Sequence, residues 1–171
     1  MAVPVYTIGH STHEIDEFLE LLSQHDISAV ADVRSSPYSR YNDQFNREGL
    51  RSDLERADIT YVFLGGALGA QSKNPRCYRG GKVQFDLLAQ SPTFQKGLDR
   101  LREGARRYRI AIMCAEKDPI ECHRMILVCR QLRGDEFEIR HILEDGSAES
   151  QRSAESRLME TMDLPPEGSL F

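Results

Sequence analysis

The residue types best suited to chemistry cluster between positions 114 and 124, in the run Cys114-Ala115-Glu116-Lys117-Asp118-Pro119-Ile120-Glu121-Cys122-His123-Arg124. A cysteine close to a helix N-terminus or a cation has a lowered thiol pKa and becomes a usable nucleophile. Cys114 fits that role, with Arg124 as the cation, His123 as a further polar partner and Glu116 as an acid or base. Cys114, Cys122 and His123 are also soft ligands, but their spacing matches no standard zinc pattern, so no metal is assigned to them. The bland alternative is a Cys114 that packs as a small apolar side chain.

Three other segments offer polar groups. Asp32-Val33-Arg34-Ser35-Ser36-Pro37-Tyr38-Ser39-Arg40 opens with a carboxylate at the end of an apolar run, where burial without a partner is costly. Arg34 or Arg40 can supply that partner. The two arginines, with Ser39 and Asn46, suit a phosphate or carboxylate ligand, which an arginine fork binds bidentately. Thr7-Ile8-Gly9-His10-Ser11 places His10 as a base or ligand and Ser11 as an anion contact, where a following helix would point free N–H groups; plain helix capping by Ser11 or Thr12 is the competing explanation. Gly65-Gly66-Ala67-Leu68-Gly69 lacks the spacing of a nucleotide loop and reads as a flexible entrance. After it, Ala67 to Lys82 is a long Gly/Ser/Asn/Pro-rich loop carrying Lys73, Arg76, Arg79 and Lys82, with Tyr78 available to stack on a base. Its length suits a lid.

These segments need a scaffold, and the apolar pattern supplies one. Strands are expected at Val3–Ile8, Ile27–Val33, Thr60–Leu64, Arg109–Met113 and Phe137–Ile142. Helices are expected after Ser11 or Thr12 on the Phe18, Leu19, Leu21, Leu22 face, and over Arg47–Ala57. Further helices are expected over Thr93–Arg107 with Ser91 as cap and Pro92 first, over Pro119–Leu132 ended by Gly134, and over Glu149–Met162 before a loose Pro165-Pro166 tail. Strands alternating with helices imply a three-layer α/β domain, a mainly parallel Rossmann-like sheet flanked by helices. Ligands of such sheets bind outside the carboxyl ends of the strands, where all four polar segments fall. The division expected is an α/β domain over 1–145 and a C-terminal helix and tail over 146–171.

Composition narrows the class. The 171 residues are 40% hydrophobic and 29% charged, a globular balance with room for one core. A net charge of −5 argues against non-specific coating of nucleic acid. No apolar run approaches the roughly 20 residues of a membrane span, and the N-terminus lacks a signal-peptide pattern. The four cysteines, Cys77, Cys114, Cys122 and Cys129, therefore read as reduced thiols of a cytoplasmic protein. Cys77 is expected on an exposed loop. Cys129 is expected in the core.

Together the motifs resemble a known family. Thr-Ile-Gly-His-Ser, Asp32-Val33-Arg34 with Pro37, Ser39, Arg40 and Gln44-Phe45-Asn46, Leu64-Gly65-Gly66, and Cys114-Ala115-Glu116 leading to Cys122-His123-Arg124 run in the order of the domain-of-unknown-function 488 family, from about Thr7 to Ile142. That resemblance implies a small cytoplasmic α/β protein and brings no activity with it. Ala31-Asp32-Val33-Arg34 with a strand-terminal cysteine is also similar to rhodanese-type sulfurtransferases. Cysteine phosphatases, however, place Arg six residues past the cysteine, where this chain has Ile120, and Glu116 and Asp118 would repel an anion beside a thiolate.

The leading expectation is an enzyme that binds or processes a nucleotide, a nucleic acid or another phosphate-bearing substrate. Arg34, Arg40 and Arg124 would hold the anion, while Glu116, Asp32 and His10 act as acids or bases. A non-catalytic ligand- or nucleic-acid-binding module and a Cys/His thiol or metal site are the alternatives. No cofactor and no oligomeric state follow from the sequence.

Overall fold

The computed structural model describes residues 2–72, 74–132 and 136–162. Its centre is β6 (Ile110–Cys114), an unbroken apolar run buried along its whole length, as expected of a strand covered on both faces. β2 (Ala29–Asp32) flanks it on one side and β1 (Val3–Gly9) on the other, both parallel. β3 (Thr60–Phe63) extends the sheet beyond β2, and β7 (Phe137–Ile142) extends it beyond β1. β8 (Ala148–Ser150) closes that edge antiparallel to β7, giving the order β3-β2-β6-β1-β7-β8. The sequence reading did not anticipate β8, because three polar residues carry no periodicity to detect.

Helices cover both faces. α1 (Ile15–Gln24) and α2 (Arg47–Arg56) set Phe18, Leu22, Leu50 and Leu54 against Tyr6, Ile8, Val30 and Met113. On the opposite face α5 (Pro92–Arg107) buries Phe94, Leu98, Leu101 and Ala105, spaced for one helical stripe, against Val5, Ala31 and Ile112. Each such leucine contributes about 1.5–3 kcal/mol of burial free energy. The Ser91 hydroxyl caps α5 by accepting from Phe94 N–H at 3.2 Å. α7 (Gln151–Thr161) packs Ala154 and Leu158 on Met125.

Several local expectations change. α1 begins after Glu14, which makes no side-chain cap bond; Ser11 instead takes a left-handed φ of 48° and bonds through its N–H to Ala115 O. The segment 65–90 is built of short elements: α3 (Gly65–Leu68), a 3-10 turn at Pro75–Cys77, the hairpin β4 (Tyr78–Arg79) and β5 (Lys82–Val83), and α4 (Phe85–Gln90). That turn tucks Cys77 into the core beside Leu88, so it is buried and not exposed. The expected Pro119–Leu132 helix is instead a 3-10 turn at Pro119–Glu121, a π-helix at Arg124–Cys129 and α6 (Arg130–Leu132). Cys122, between the first two, is extended (φ −128°, ψ 139°) and faces Cys114 rather than continuing a helix. Lys73, Gly134 and Pro165-Pro166 lie outside the described residues. Among those described, no helix is long and apolar enough to cross a membrane.

Candidate functional site

β2, β6 and β1 lie side by side and end together at Asp32, Cys114 and Gly9. Main-chain bonds carry the alignment beyond the sheet: His10 N–H donates to Cys114 O at 2.9 Å and Val33 N–H to Met113 O at 3.0 Å. Two glycines permit the close approach of the loops. A Cβ on Gly9 would fall 1.7 Å from Glu116 O, and one on Gly65 would fall 1.8 Å from Arg34 O. The Gly65 segment is therefore a packing device and not a flexible entrance.

Two buried arginine centres occupy this edge. In the first, Asp32 is wholly buried and Arg34 is 6% exposed. Arg34 Nε and Nη2 donate to the two Asp32 oxygens at 2.9 and 2.7 Å, the bidentate fork that the isolated carboxylate required. Tyr61 OH donates to Asp32 Oδ2 at 2.6 Å, and burial together with that bond pushes its phenol pKa well up. His10 donates from Nδ1 to Ser11 O, and its Nε2 lies 3.3 Å from Arg34 Nη1 as an acceptor. Burial lowers its pKa to about 4, and the ring stacks on Phe45 at 4.4 Å. With both nitrogens engaged, His10 is neutral and has no free lone pair for base chemistry.

The second centre holds the cysteines. Cys114 and Cys122, each 1% exposed, face each other as a disulfide, which corrects the expectation of four reduced thiols. Cys77 and Cys129 are free. Arg124, a fully buried arginine, donates from Nη1 to Cys114 Sγ at 2.9 Å and Glu116 O at 2.6 Å, from Nη2 to Lys117 O at 3.3 Å, and from Nε to Thr7 Oγ1 at 3.0 Å. None of these acceptors is a carboxylate. Burial lowers its pKa to about 10. Glu116 is exposed, with Oε2 3.3 Å from Cys114 Sγ. His123 Nε2 donates to Val33 O at 3.0 Å, which turns Nδ1 toward Cys122 Sγ at 3.9 Å.

A chain of polar groups leads away from Arg124. Thr7 OH donates to His141 Nδ1 at 2.6 Å, His141 Nε2 donates to Gln151 Oε1 at 2.7 Å, and Gln151 Nε2 donates to Glu155 at 3.1 Å. Thr7 and His141 are register partners on β1 and β7, so the sheet itself makes the first link. Burial lowers the His141 pKa to about 4. Arg157 clamps the other side of the loop, bonding Asp118 and Glu149, and the Arg157 bond holds the Asp118 carboxyl below its usual range.

This architecture and motif set have a family counterpart. A family model, Domain of unknown function DUF488, matches residues 14–130, more than half of the chain. The chain belongs to this family. No curated protein and no solved structure matches it. The stretch that matches DUF488 includes Asp32, Arg34, Cys114, Glu116, Cys122, His123 and Arg124, whereas Thr7, His10, Ser11, His141 and Gln151 lie outside it.

The structure brings together His10, Ser11, Asp32, Arg34, Cys114, Glu116, Cys122, His123 and Arg124. It does not build one cradle from Arg34, Arg40 and Arg124: the first is forked on Asp32, Arg40 is exposed, and Arg124 is buried and bonded. Ser39 and Asn46 stitch their own loop, Asn46 Oδ1 accepting from Ser39 N–H at 2.7 Å. Tyr78 lies elsewhere, on a cleft with Ser35, Gly66, Ser72 and Thr93. Tyr61, Thr7, His141 and Gln151 escaped the sequence reading. The one signal for Thr7 and His141 was a polar residue inside an otherwise apolar strand run.

Proposed function

We propose that this protein is a thiol-based redox protein in which Cys114 is the reacting nucleophile and Cys122 its resolving partner. The observation that carries the reading is the pairing of Cys114 with Cys122 while the buried Arg124 guanidinium donates to Cys114 Sγ with no carboxylate among its acceptors. A buried cation without a counter-ion is costly, and a Cys114 thiolate supplies one. The same cation lowers the thiol pKa and raises the thiolate fraction. Glu116, at 3.3 Å, takes the thiol proton.

With both sulfurs 1% exposed, the oxidant is a small molecule rather than a folded protein; a hydroperoxide fits. Cys114 thiolate attacks the distal oxygen, the O–O bond breaks, and the proton held by Glu116 leaves with the alcohol. Cys122 thiol then attacks the Cys114 sulfenic acid, forming the disulfide and releasing water. The sum is two thiols and one hydroperoxide giving one disulfide, one alcohol and one water.

Peroxide titration of the reduced protein, followed by alkylation and peptide mass spectrometry, tests this. The expected result is a Cys114–Cys122 disulfide at one equivalent of peroxide, with Cys122→Ser accumulating sulfenic acid at Cys114. Glu116→Gln slows the reaction by roughly 10²-fold. A folded, fully reduced protein that forms no Cys114–Cys122 disulfide under these conditions overturns the reading.

A phosphate-bearing ligand is favoured by a separate observation, the cleft of about 700 Å³ lined by Ser35, Gly65, Gly66, Ser72, Tyr78, Ser91 and Thr93. Titration calorimetry with inorganic phosphate and a mononucleotide tests it; no heat with either at millimolar ligand removes it.

A further inference from the structure

The geometry points to a second state of the same cluster: when reduced, Cys114, Cys122, Glu116 and His123 form a site for one thiophilic divalent cation of the zinc class. This rests on the thiol reading only in that the cysteines must exist as a free pair. One ligand atom each from Cys114, Glu116 and Cys122 lies within 4.8 Å of the others. Zinc bonds of about 2.3 Å to sulfur and 2.0–2.1 Å to nitrogen or oxygen give a tetrahedron whose sulfur-to-N/O edges are about 3.5 Å. The two such edges here, Cys114 Sγ to Glu116 Oε2 at 3.3 Å and Cys122 Sγ to His123 Nδ1 at 3.9 Å, bracket that value. The Cα atoms of the cysteines stand 7.3 Å apart, beyond the roughly 4.4–6.8 Å usual for a disulfide.

The surroundings favour an ion as well. His123 Nε2 donates to Val33 O, which fixes the tautomer whose Nδ1 carries a lone pair; metal-bound histidines are oriented in this way. Two thiolates, one carboxylate and a divalent cation sum to one negative charge. The buried Arg124, donating to Cys114 Sγ, cancels it. Oxidation then couples to release. A hydroperoxide takes two electrons from the two thiolates, both metal–sulfur bonds and the O–O bond break, and the S–S bond forms. Two protons complete the alcohol and water, and the cation leaves hydrated.

The test uses the tag-free full chain, reduced with a phosphine, stripped with a chelator, dialysed, and titrated with Co²⁺ and then Zn²⁺. The expected result is a tetrahedral Co²⁺ visible spectrum with thiolate charge-transfer bands, saturating at one equivalent and bleached by Zn²⁺. Glu116→Gln, a substitution at an exposed position, weakens binding by roughly tenfold or more, while Cys114→Ser and Cys122→Ser abolish the charge-transfer bands. Peroxide releases one equivalent of Zn²⁺ to a chromophoric chelator as the disulfide forms. Absence of Co²⁺ bands in folded protein whose four thiols titrate as free overturns the ion site. If peroxide still couples Cys114 to Cys122 in that protein, the redox reading stands without it. Stoichiometric cation binding without peroxide-driven coupling leaves the ion site standing and removes the redox reading.

Discussion

Arg34 and Arg124 lie on the same edge of the same sheet, both buried, and they are compensated in opposite ways. Arg34 is locked to Asp32 by a two-point fork, with Tyr61 and His10 completing the set. Arg124 has four acceptors, three oxygens and one sulfur, none of them a carboxylate. A closed ion pair is a structural clasp, since nothing further is needed to satisfy it. An arginine whose nearest anion-capable neighbour is a cysteine is matched only in one redox state of that cysteine. The difference separates two kinds of buried charge: one holds the Asp32 loop, and the other makes the sulfur beside it reactive.

The largest effect that would break this comparison is at the clasp. Asp32→Ala leaves Arg34 with no partner and is expected to cost about 3–5 kcal/mol in urea unfolding, with most of it recovered when Arg34→Met is added. A loss under about 1 kcal/mol would mean that Arg34 simply turns to solvent. Arg124→Met in the oxidised protein is expected to cost less, about 1–3 kcal/mol, because it strands the carbonyls of Glu116 and Lys117 but no charge. Equal costs at the two positions would erase the distinction.

Each centre also holds one buried neutral histidine, His10 beside Arg34 and His141 on the Arg124 chain, both with pKa lowered to about 4 by burial. The unfolded chain, with histidine pKa near 6.5, binds the extra protons. Stability is therefore full above pH 6.5 and falls as pH drops toward about 4, by up to about 1.4 kcal/mol per pH unit for each histidine. Denaturant midpoints at pH 7 and pH 5 measure this, and His10→Asn and His141→Asn each remove part of the slope. The smallest effect is expected at Arg157→Ala, which unclamps Asp118 from Glu149 at a partly exposed site and costs about 1 kcal/mol or less.

The five parallel strands, the flanking helices and their strand-end polar segments were legible because each is a long apolar or periodic run. Asp32 was legible as needing a partner, and Arg34 proved to be it. What was not legible depended on contacts across the sheet. Tyr61 reaches Asp32 from a neighbouring strand, and Thr7 meets His141 across a register that spacing alone does not reveal. The break at Cys122 was hidden because Pro119 to Leu132 has helical composition, while the sulfur contact that holds Cys122 extended is tertiary. The three-arginine cradle failed for the same reason: one-dimensional proximity to a strand end does not say which arginines are already bonded.

The central claim is that Arg124 makes Cys114 a low-pKa thiolate. The most direct measurement is the pH dependence of Cys114 alkylation by a small iodoacetamide in the reduced protein, read by peptide mass spectrometry in the wild type and in Arg124→Met. The account predicts a wild-type midpoint well below the ordinary thiol value of about 8.5 and an upward shift of a unit or more in the variant. The same midpoint in both proteins, at or above about 8.5, would contradict it.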